Sequence, residues 1–356
     1  MNRLDKSLLF SIALILLVGL LTLHSASSQY RAQNLVFRQT FWILIGIILF
    51  IAVLRIDYQR ILSISYLLYW INILLLVLVL FIGKTRGGAH RWISIGAFNL
   101  QPSELAKITL VLALSTYIDK RRGDVKKIRF LFGTLCLMLP AFLLILIEPD
   151  LGTSLLLIPI TLAILFMAGI QVRHLTSFVL IGVAALPFFW HFLKDYQKQR
   201  LIVFINPNID PLGSGYTIIQ SKIAVGSGGL WGKGWLSGTQ NQLNFLPERH
   251  TDFIFSVVGE EWGFIGALVL MLLYIFVIYR GMKIIDATPD MRGKLMATGF
   301  VALFSLQVLI NIGMTIGFLP IVGLTLPLIS YGGSSLITTL LYLGLLLNIG
   351  MRRPLF

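Results

Sequence analysis

The stretch LSISYLLYWINILLLVLVLFI, residues 62–82, decides the fold class. It carries no charged side chain, and a helix of ~20 mostly apolar residues is what crosses the hydrocarbon core of a bilayer. Working outward from it, the same reading recurs. Ten segments qualify, near residues 7–23, 39–54, 62–82, 103–118, 130–147, 151–170, 175–193, 253–279, 295–319 and 324–350. Across the 356 residues, 57% are hydrophobic and 12% are charged, where soluble domains carry roughly 25% charged residues. The expected fold is an all-α polytopic membrane protein, a single integral membrane domain over residues 1–356. A long extracytoplasmic loop, about 194–252, joins its seventh and eighth spans.

Charge fixes the orientation. With the N-terminus inside, most of the 29 lysines and arginines fall in inner segments, as the positive-inside rule requires. Both termini are therefore read as cytoplasmic. The net charge of +14 then largely reflects topology, and no soluble basic domain exists to carry nucleic acid. The single cysteine, Cys136, excludes an intrachain disulfide. Ser25-Ala26-Ser27 could serve as a signal cleavage site. An uncleaved first helix is the preferred reading, because nothing soluble follows that would need export. No internal repeat is visible to support a transporter built from inverted halves.

The outer segments collect the polar residues. Leu246-Pro-Glu-Arg-His-Thr-Asp-Phe-Ile-Phe255 sets Glu248, Arg249, His250 and Asp252 at the edge of lipid, where ionisable groups are functional candidates by default. Thr251 or Asp252 capping the eighth span is the competing structural reading. Glu260 and Glu261 follow inside that span. Lys84-Thr-Arg-Gly-Gly-Ala-His-Arg-Trp-Ile-Ser-Ile-Gly96 reads either as an interfacial segment with snorkelling cations or as a cationic ledge ending in Arg91-Trp92. In Gln101-Pro-Ser-Glu-Leu-Ala-Lys107, Pro102 suits a first helical turn. Glu104 and Lys107 there share a face, as a structural ion pair or as the wall of a polar cavity. Glu148-Pro-Asp150 forms a tight outer turn in which Asp150 could cap the sixth span. The glycine-rich loop, including Gly226-Ser-Gly-Gly-Leu-Trp-Gly-Lys-Gly234, retains aromatic residues and is expected to lie on the membrane surface. It lacks the spacing of a P-loop. Leu326-Pro-Leu-Ile-Ser-Tyr-Gly-Gly-Ser-Ser335 is a poor helix start. Ser330, Ser334 and Ser335 would line a wet cavity or allow close helix packing.

Five of these segments, in this order, resemble the SEDS family of bacterial cell-wall polymerases. They are Arg91-Trp-Ile, Gln101-Pro-Ser-Glu-Leu-Ala-Lys, Glu148-Pro-Asp-Leu-Gly-Thr, the island at 246–255 and the stretch at 326–335. The resemblance covers nearly the whole chain. Arg249 and the short N-terminus resemble the elongation branch (RodA) more than the division branch (FtsW). What the resemblance implies is a peptidoglycan glycosyltransferase acting on lipid II at the outer face of the bacterial cytoplasmic membrane, beside a class B penicillin-binding protein. It implies a catalytic role for Asp252, cavity roles for Glu104, Lys107 and Asp150, and a substrate-side role for Trp92.

The chemistry expected of such a site is inversion at an anomeric carbon. By analogy with inverting hydrolases, a carboxylate serves as base, and Asp252 is the candidate. Arg91, Lys107 and Arg249 are the candidate cations for the pyrophosphate, with Glu248, His250 and Ser330 beside them. His250 alone does not make a metal site. A divalent cation, Mg or Mn, is the sole cofactor considered, as a partner of the leaving group. Two other classes compete: a lipid II flippase, and a non-catalytic scaffold for a penicillin-binding protein. The crowding of intramembrane charge toward one face favours the enzyme.

Overall fold

The structure, a computed structural model, describes residues 4–28, 34–86, 89–95, 98–125, 127–191, 193, 195–213 and 215–352. Its helices are α1 (Lys6–Ser27), α2 (Leu35–Arg55), α3 (Tyr58–Ser63), α4 (Ser65–Ile82), α5 (Pro102–Lys120), α6 (Ile128–Ile147) and α7 (Leu151–Met167). They continue as α8 (Val172–Trp190), α9 (Asp195–Ile205), α10 (Tyr216–Ser227), α11 (Thr239–Gln242), α12 (Ile254–Asp286), α13 (Met291–Thr315) and α14 (Gly333–Met351). Helices α1, α2, α4 to α8 and α12 to α14 correspond in order to the ten expected spans. Among the described residues, seven helices are long and apolar enough to cross a membrane. The apolar helix α7 is shorter, at 17 residues, and α5 is less apolar because it lies inside the bundle. Its Ser103, Glu104, Lys107, Ser115 and Thr116 are all buried. Helices at the periphery turn large apolar side chains such as Phe37, Ile48 and Phe81 outward, as a lipid-facing surface demands.

Helix packing follows the small residues. At Gly46 a Cβ would collide with Leu340, and at Gly344 it would come within 3.1 Å of Phe50. These glycines let α2 and α14 approach closely, the usual device where lipid supplies no hydrophobic drive between helices. Asn348 of α14 then donates its amide to the carbonyls of Val53 (2.7 Å), Leu54 (3.2 Å) and Ile56 (2.6 Å). The C-terminal end of α2 is thereby satisfied without water.

Three features depart from the sequence expectation. Residues 84–100 contain a small antiparallel sheet, β1 (Lys84–Arg86), β2 (Ala89–Ile95) and β3 (Phe98–Leu100), in the order β1-β2-β3. Gly87, Gly88 and Gly96, which belong to the expected ledge, lie outside the described residues. The tenth helix begins at Gly333 rather than at 324, leaving 320–332 irregular beside the bundle.

The long loop does not simply lie on the surface. Helix α10 docks inward, with the Ser221 hydroxyl donating to the carbonyl of Thr315 (2.6 Å) and lying 2.7 Å from the Ser256 hydroxyl. The glycine-rich stretch plugs a break in α12 at Gly263, whose φ is +66°. There the amides of Phe264 and Ile265 donate to the carbonyls of Gly229 (2.9 Å) and Leu230 (3.1 Å). The amides of Lys233 and Gly234 return to the carbonyls of Glu260 and Glu261, both at 3.0 Å. Four backbone groups at the break thus acquire partners from the loop, the kind of satisfaction that membrane depth requires.

The paired acids have the same task. Glu260, 0% exposed, accepts from Lys233 Nζ (2.8 Å) and from the amides of Gln240 (2.9 Å) and Asn241 (3.2 Å). Glu261 accepts from the Ser25 hydroxyl and from Asn241 Nδ2. Helix α1 is therefore an integral wall of the fold, bound at the residues considered as a cleavage site. A Cβ at position 263 would meet the Leu230 carbonyl oxygen at 2.7 Å in a backbone region that L-residues avoid. Gly263→Ala is expected to lower stability by ~1–3 kcal/mol or more, read as thermal unfolding in detergent; an unchanged midpoint would contradict the plugged-break description.

Candidate active site

The island is a tight turn built on one carbonyl. Glu248 adopts φ +48°, and its carbonyl accepts from the amides of Thr251 (3.1 Å), Asp252 (3.1 Å) and Phe253 (3.3 Å). A left-handed glutamate costs ~1–3 kcal/mol, and such strain clusters at functional sites. Three successive island carbonyls are then sewn to the far end of the chain. His250 accepts from the Tyr331 amide (2.9 Å), Thr251 from the Ser330 hydroxyl (2.5 Å), and Asp252 from Asn311 Nδ2 (2.9 Å). The same Asn311 nitrogen donates to the Leu324 carbonyl at 2.7 Å. Irregular segment 320–332, helix α13 and the island are one hydrogen-bonded unit.

Asp252 does not cap α12. The N-cap position is Phe253, with no side-chain cap, so the capping reading of Thr251 and Asp252 is removed. The Asp252 carboxyl is half-buried against the open backbone of Gly323, where a Cβ would sit 3.6 Å from Oδ2. Burial raises its pKa to about 6, with Glu248 and Asp150 adding to the rise and Arg200 and Thr251 opposing it. A carboxyl poised there can take up a proton near neutral pH.

A second turn faces this one. Asp150 does cap α7, accepting from the Thr153 amide (3.2 Å), and it also accepts from Gln101 Nε2 (3.3 Å). Arg91 of β2 donates Nε to the Glu148 carbonyl (3.0 Å) and Nη2 to the Pro149 carbonyl, and its Nη1 lies 3.9 Å from Asp150. Trp92 follows in β2, half-buried and opposite Lys84 in register. Gly152 packs so closely on the Val322 carbonyl that a Cβ would not fit, joining this turn to the segment that covers Asp252. Glu148 is 1% exposed, and neither carboxyl oxygen has a hydrogen-bond partner among the described residues. Burial and Asp150 push its pKa up to about 8 against the pull of Arg91.

Several expected site residues are otherwise occupied. Arg249 is 1% exposed and donates Nε to the Ala26 carbonyl (2.9 Å), clasping the end of α1. Its expected role as a pyrophosphate cation is not what this position provides. The Ser330 hydroxyl donates to Thr251 and accepts from the Leu326 amide (2.8 Å), so it braces the site's backbone instead of lining an open cavity. His250 sits 6.0 Å from the Tyr331 ring. Burial, assisted by Arg249 and opposed by Glu248, lowers its pKa and keeps it neutral. Glu248 is exposed. Among the described residues no three His, Cys, Asp or Glu side chains converge as a metal site.

Glu104 and Lys107 form a buried ion pair of 2.8 Å, and the Thr338 hydroxyl donates to Glu104 Oε2 at 3.0 Å. The pair therefore couples α5 to α14 beneath the site. Sequence reasoning missed Arg200, Asn311 and Gly323, because nothing local in their segments marks them. It passed over Glu148, whose neighbouring acid and proline were the available signal. Glu104→Gln leaves Lys107 buried without its carboxylate and is expected to cost ~3–5 kcal/mol by thermal unfolding in detergent. Adding Lys107→Met should restore much of the loss; a stable single variant would contradict the pair's structural role.

Comparison with known proteins places this architecture. The sequence profile of the cell cycle protein family FtsW/RodA/SpoVE matches residues 5–354. The peptidoglycan glycosyltransferase MrdB of Escherichia coli K12 is 41% identical over 356 residues, covering 99% of this chain and 95% of that protein. Among solved structures, the rod shape determining protein RodA of Thermus thermophilus superposes with a TM-score of 0.75 at 32% identity, covering 98% of this chain and 97% of the other. A chain from a peptidoglycan synthase complex, described as coordinating polymerization and crosslinking, gives a TM-score of 0.87 at 36% identity, with 100% of both chains covered. The chain belongs to the FtsW/RodA/SpoVE family and is a multi-pass membrane peptidoglycan glycosyltransferase.

Proposed function

We propose that this chain polymerises lipid II into β-1,4 glycan strands at the outer face of the cytoplasmic membrane during cell elongation, with Asp252 as general base. The observation that carries this reading is the mounting of Asp252. The turn that ends in it is held through the successive carbonyls of His250, Thr251 and Asp252, while its carboxyl rests on the side-chain-free backbone of Gly323. A rigidly held acid beside open backbone is what a base for a bulky sugar hydroxyl needs.

In the proposed step, the acceptor sugar's 4-hydroxyl oxygen forms a bond to the donor's anomeric carbon. The bond from that carbon to the phosphate oxygen breaks, and the lipid pyrophosphate leaves with the electron pair. Asp252 takes the hydroxyl proton. One displacement inverts the α-linked donor to the β product, with a carboxylate base in the role that one carboxylate of the pair plays in inverting hydrolases. The leaving group is already anionic and needs cations more than an acid. A divalent cation, Mg or Mn, would offset charge on the substrate's pyrophosphate oxygens while keeping several of its waters.

The distribution of lysine and arginine supports cytoplasmic termini and an outer site. Elongation rests on the likeness to MrdB and to the Thermus rod shape determining protein. A class B penicillin-binding protein is the proposed partner, supported by the likeness to a chain of a synthase complex that joins polymerization to crosslinking.

The test is polymerisation of lipid II in detergent by the chain with such a partner, resolved by glycan length on a gel. Asp252→Asn is expected to lose at least ~10²–10⁴-fold in rate with unchanged thermal unfolding. Near-normal strands from Asp252→Ala protein would sink the assignment. The base acts deprotonated, so with its pKa raised to about 6 the parent rate should fall about tenfold per pH unit below that point and level off above it. A rate that is flat through this range would argue against Asp252 as base.

A further inference from the structure

The mechanism asks for cations at the leaving pyrophosphate, and the expected ones are committed elsewhere. Lys107 is 1% exposed and bound to Glu104. Arg249 is buried against Ala26. Arg91 spends two of its nitrogens on the carbonyls of Glu148 and Pro149 and faces Asp150 with the third. Arg200 differs from all of these. It is exposed, and its charge acts on Asp252.

Helix α9 is seated to present that charge. Gln197 and Val203 are buried and fix its inner side. The Tyr196 hydroxyl reaches the Pro149 carbonyl at 3.4 Å, and the Arg200 guanidinium lies 5.8 Å from the Tyr196 ring centroid. Arg200 Nη1 reaches the Ile321 carbonyl at 3.5 Å, at the outer limit of a hydrogen bond. The helix therefore spans the two turns that flank the base, 148–152 and 321–324, and the guanidinium is held there by weak contacts that an anion would outcompete.

We propose that Arg200 is a pyrophosphate-binding residue of this site, placed to receive the charge that develops on the leaving group. The inference rests on the glycosyltransferase reading above. Arginine suits the task because its planar fork pairs with two phosphate oxygens at once, which a lysine cannot do. The same cation also favours the ionised form of Asp252, against Glu248 and Asp150, which oppose it. Binding of the pyrophosphate would therefore draw the guanidinium toward substrate without leaving a buried charge behind.

The experiment compares parent, Arg200→Ala and Arg200→Lys chains, each with the class B partner, on lipid II. Three readings are taken: polymerisation rate, inhibition by inorganic pyrophosphate, and the acid limb of the pH–rate profile. Arg200→Ala should slow polymerisation by about 10²-fold, the scale for losing one donor to a developing anion. It should also lose sensitivity to inorganic pyrophosphate and shift the acid limb to higher pH, since a cation beside Asp252 is gone. Arg200→Lys should restore the acid limb and only part of the rate. A helix that served packing alone would move none of the last two readings. An Arg200→Ala chain with parental rate and parental pyrophosphate inhibition overturns the proposal while the glycosyltransferase reading stands. A parent that leaves lipid II intact beside a bound partner removes that reading, and this proposal with it.

Discussion

One side-chain amide holds the site together. Asn311 of α13, fully buried, donates from a single nitrogen to the main chain of Asp252 and to that of Leu324. It joins the island before α12 to the irregular segment before α14, two stretches far apart in sequence and neither helical at that point. Backbone without helical partners is tolerated at membrane depth only when protein satisfies it. Asn311, Ser330 and the Tyr331 amide do so here, and they fix the direction in which Asp252 leaves the chain. The strained Glu248 persists because this surrounding network over-determines it.

The bundle also sorts its ionisable groups by whether they are paired. Glu260, Glu261 and Arg249 are buried but met by donors or acceptors from another element, and the Glu104–Lys107 pair is met by Thr338 of α14. They behave as fasteners, holding the long loop, α1 and α14 to the core. The acids near the outer turns are treated differently. Asp252 lies half-buried on bare backbone, and Glu148 is buried with no hydrogen-bond partner for its carboxyl among the described residues. Their raised pKa values follow from that withdrawal from water, and perturbed acids gathered in one place mark a working site.

Much of this was legible in the sequence. Hydropathy located the ten helices that match the expected spans in order, because lipid imposes a length and composition on each helix individually. The motif at 246–255 stood out as a candidate because charge at a lipid edge is rare. The small sheet at 84–100 was missed, since short strands between glycines leave no periodic signal long enough to read. The break at Gly263 was invisible because apolar residues continue on both sides of it, and its stability depends on a loop some thirty residues earlier. The burial of Arg249 against Ala26 and the exposure of Arg200 were not legible for one reason. Sequence shows which cations lie near a motif, whereas burial and partners, which decide which of them faces the site, are tertiary properties.

The central claim is that Asp252 changes protonation as the reacting base. Its most direct test is difference infrared spectroscopy of the carboxyl stretch, parent minus Asp252→Asn, recorded across pH in detergent beside the polymerisation rate. The account predicts a single carboxyl, absent from the variant, that titrates near about 6 in step with the acid limb of the rate. A carboxyl at that position already ionised well below the limb, or a limb that persists when the band does not titrate, would contradict it.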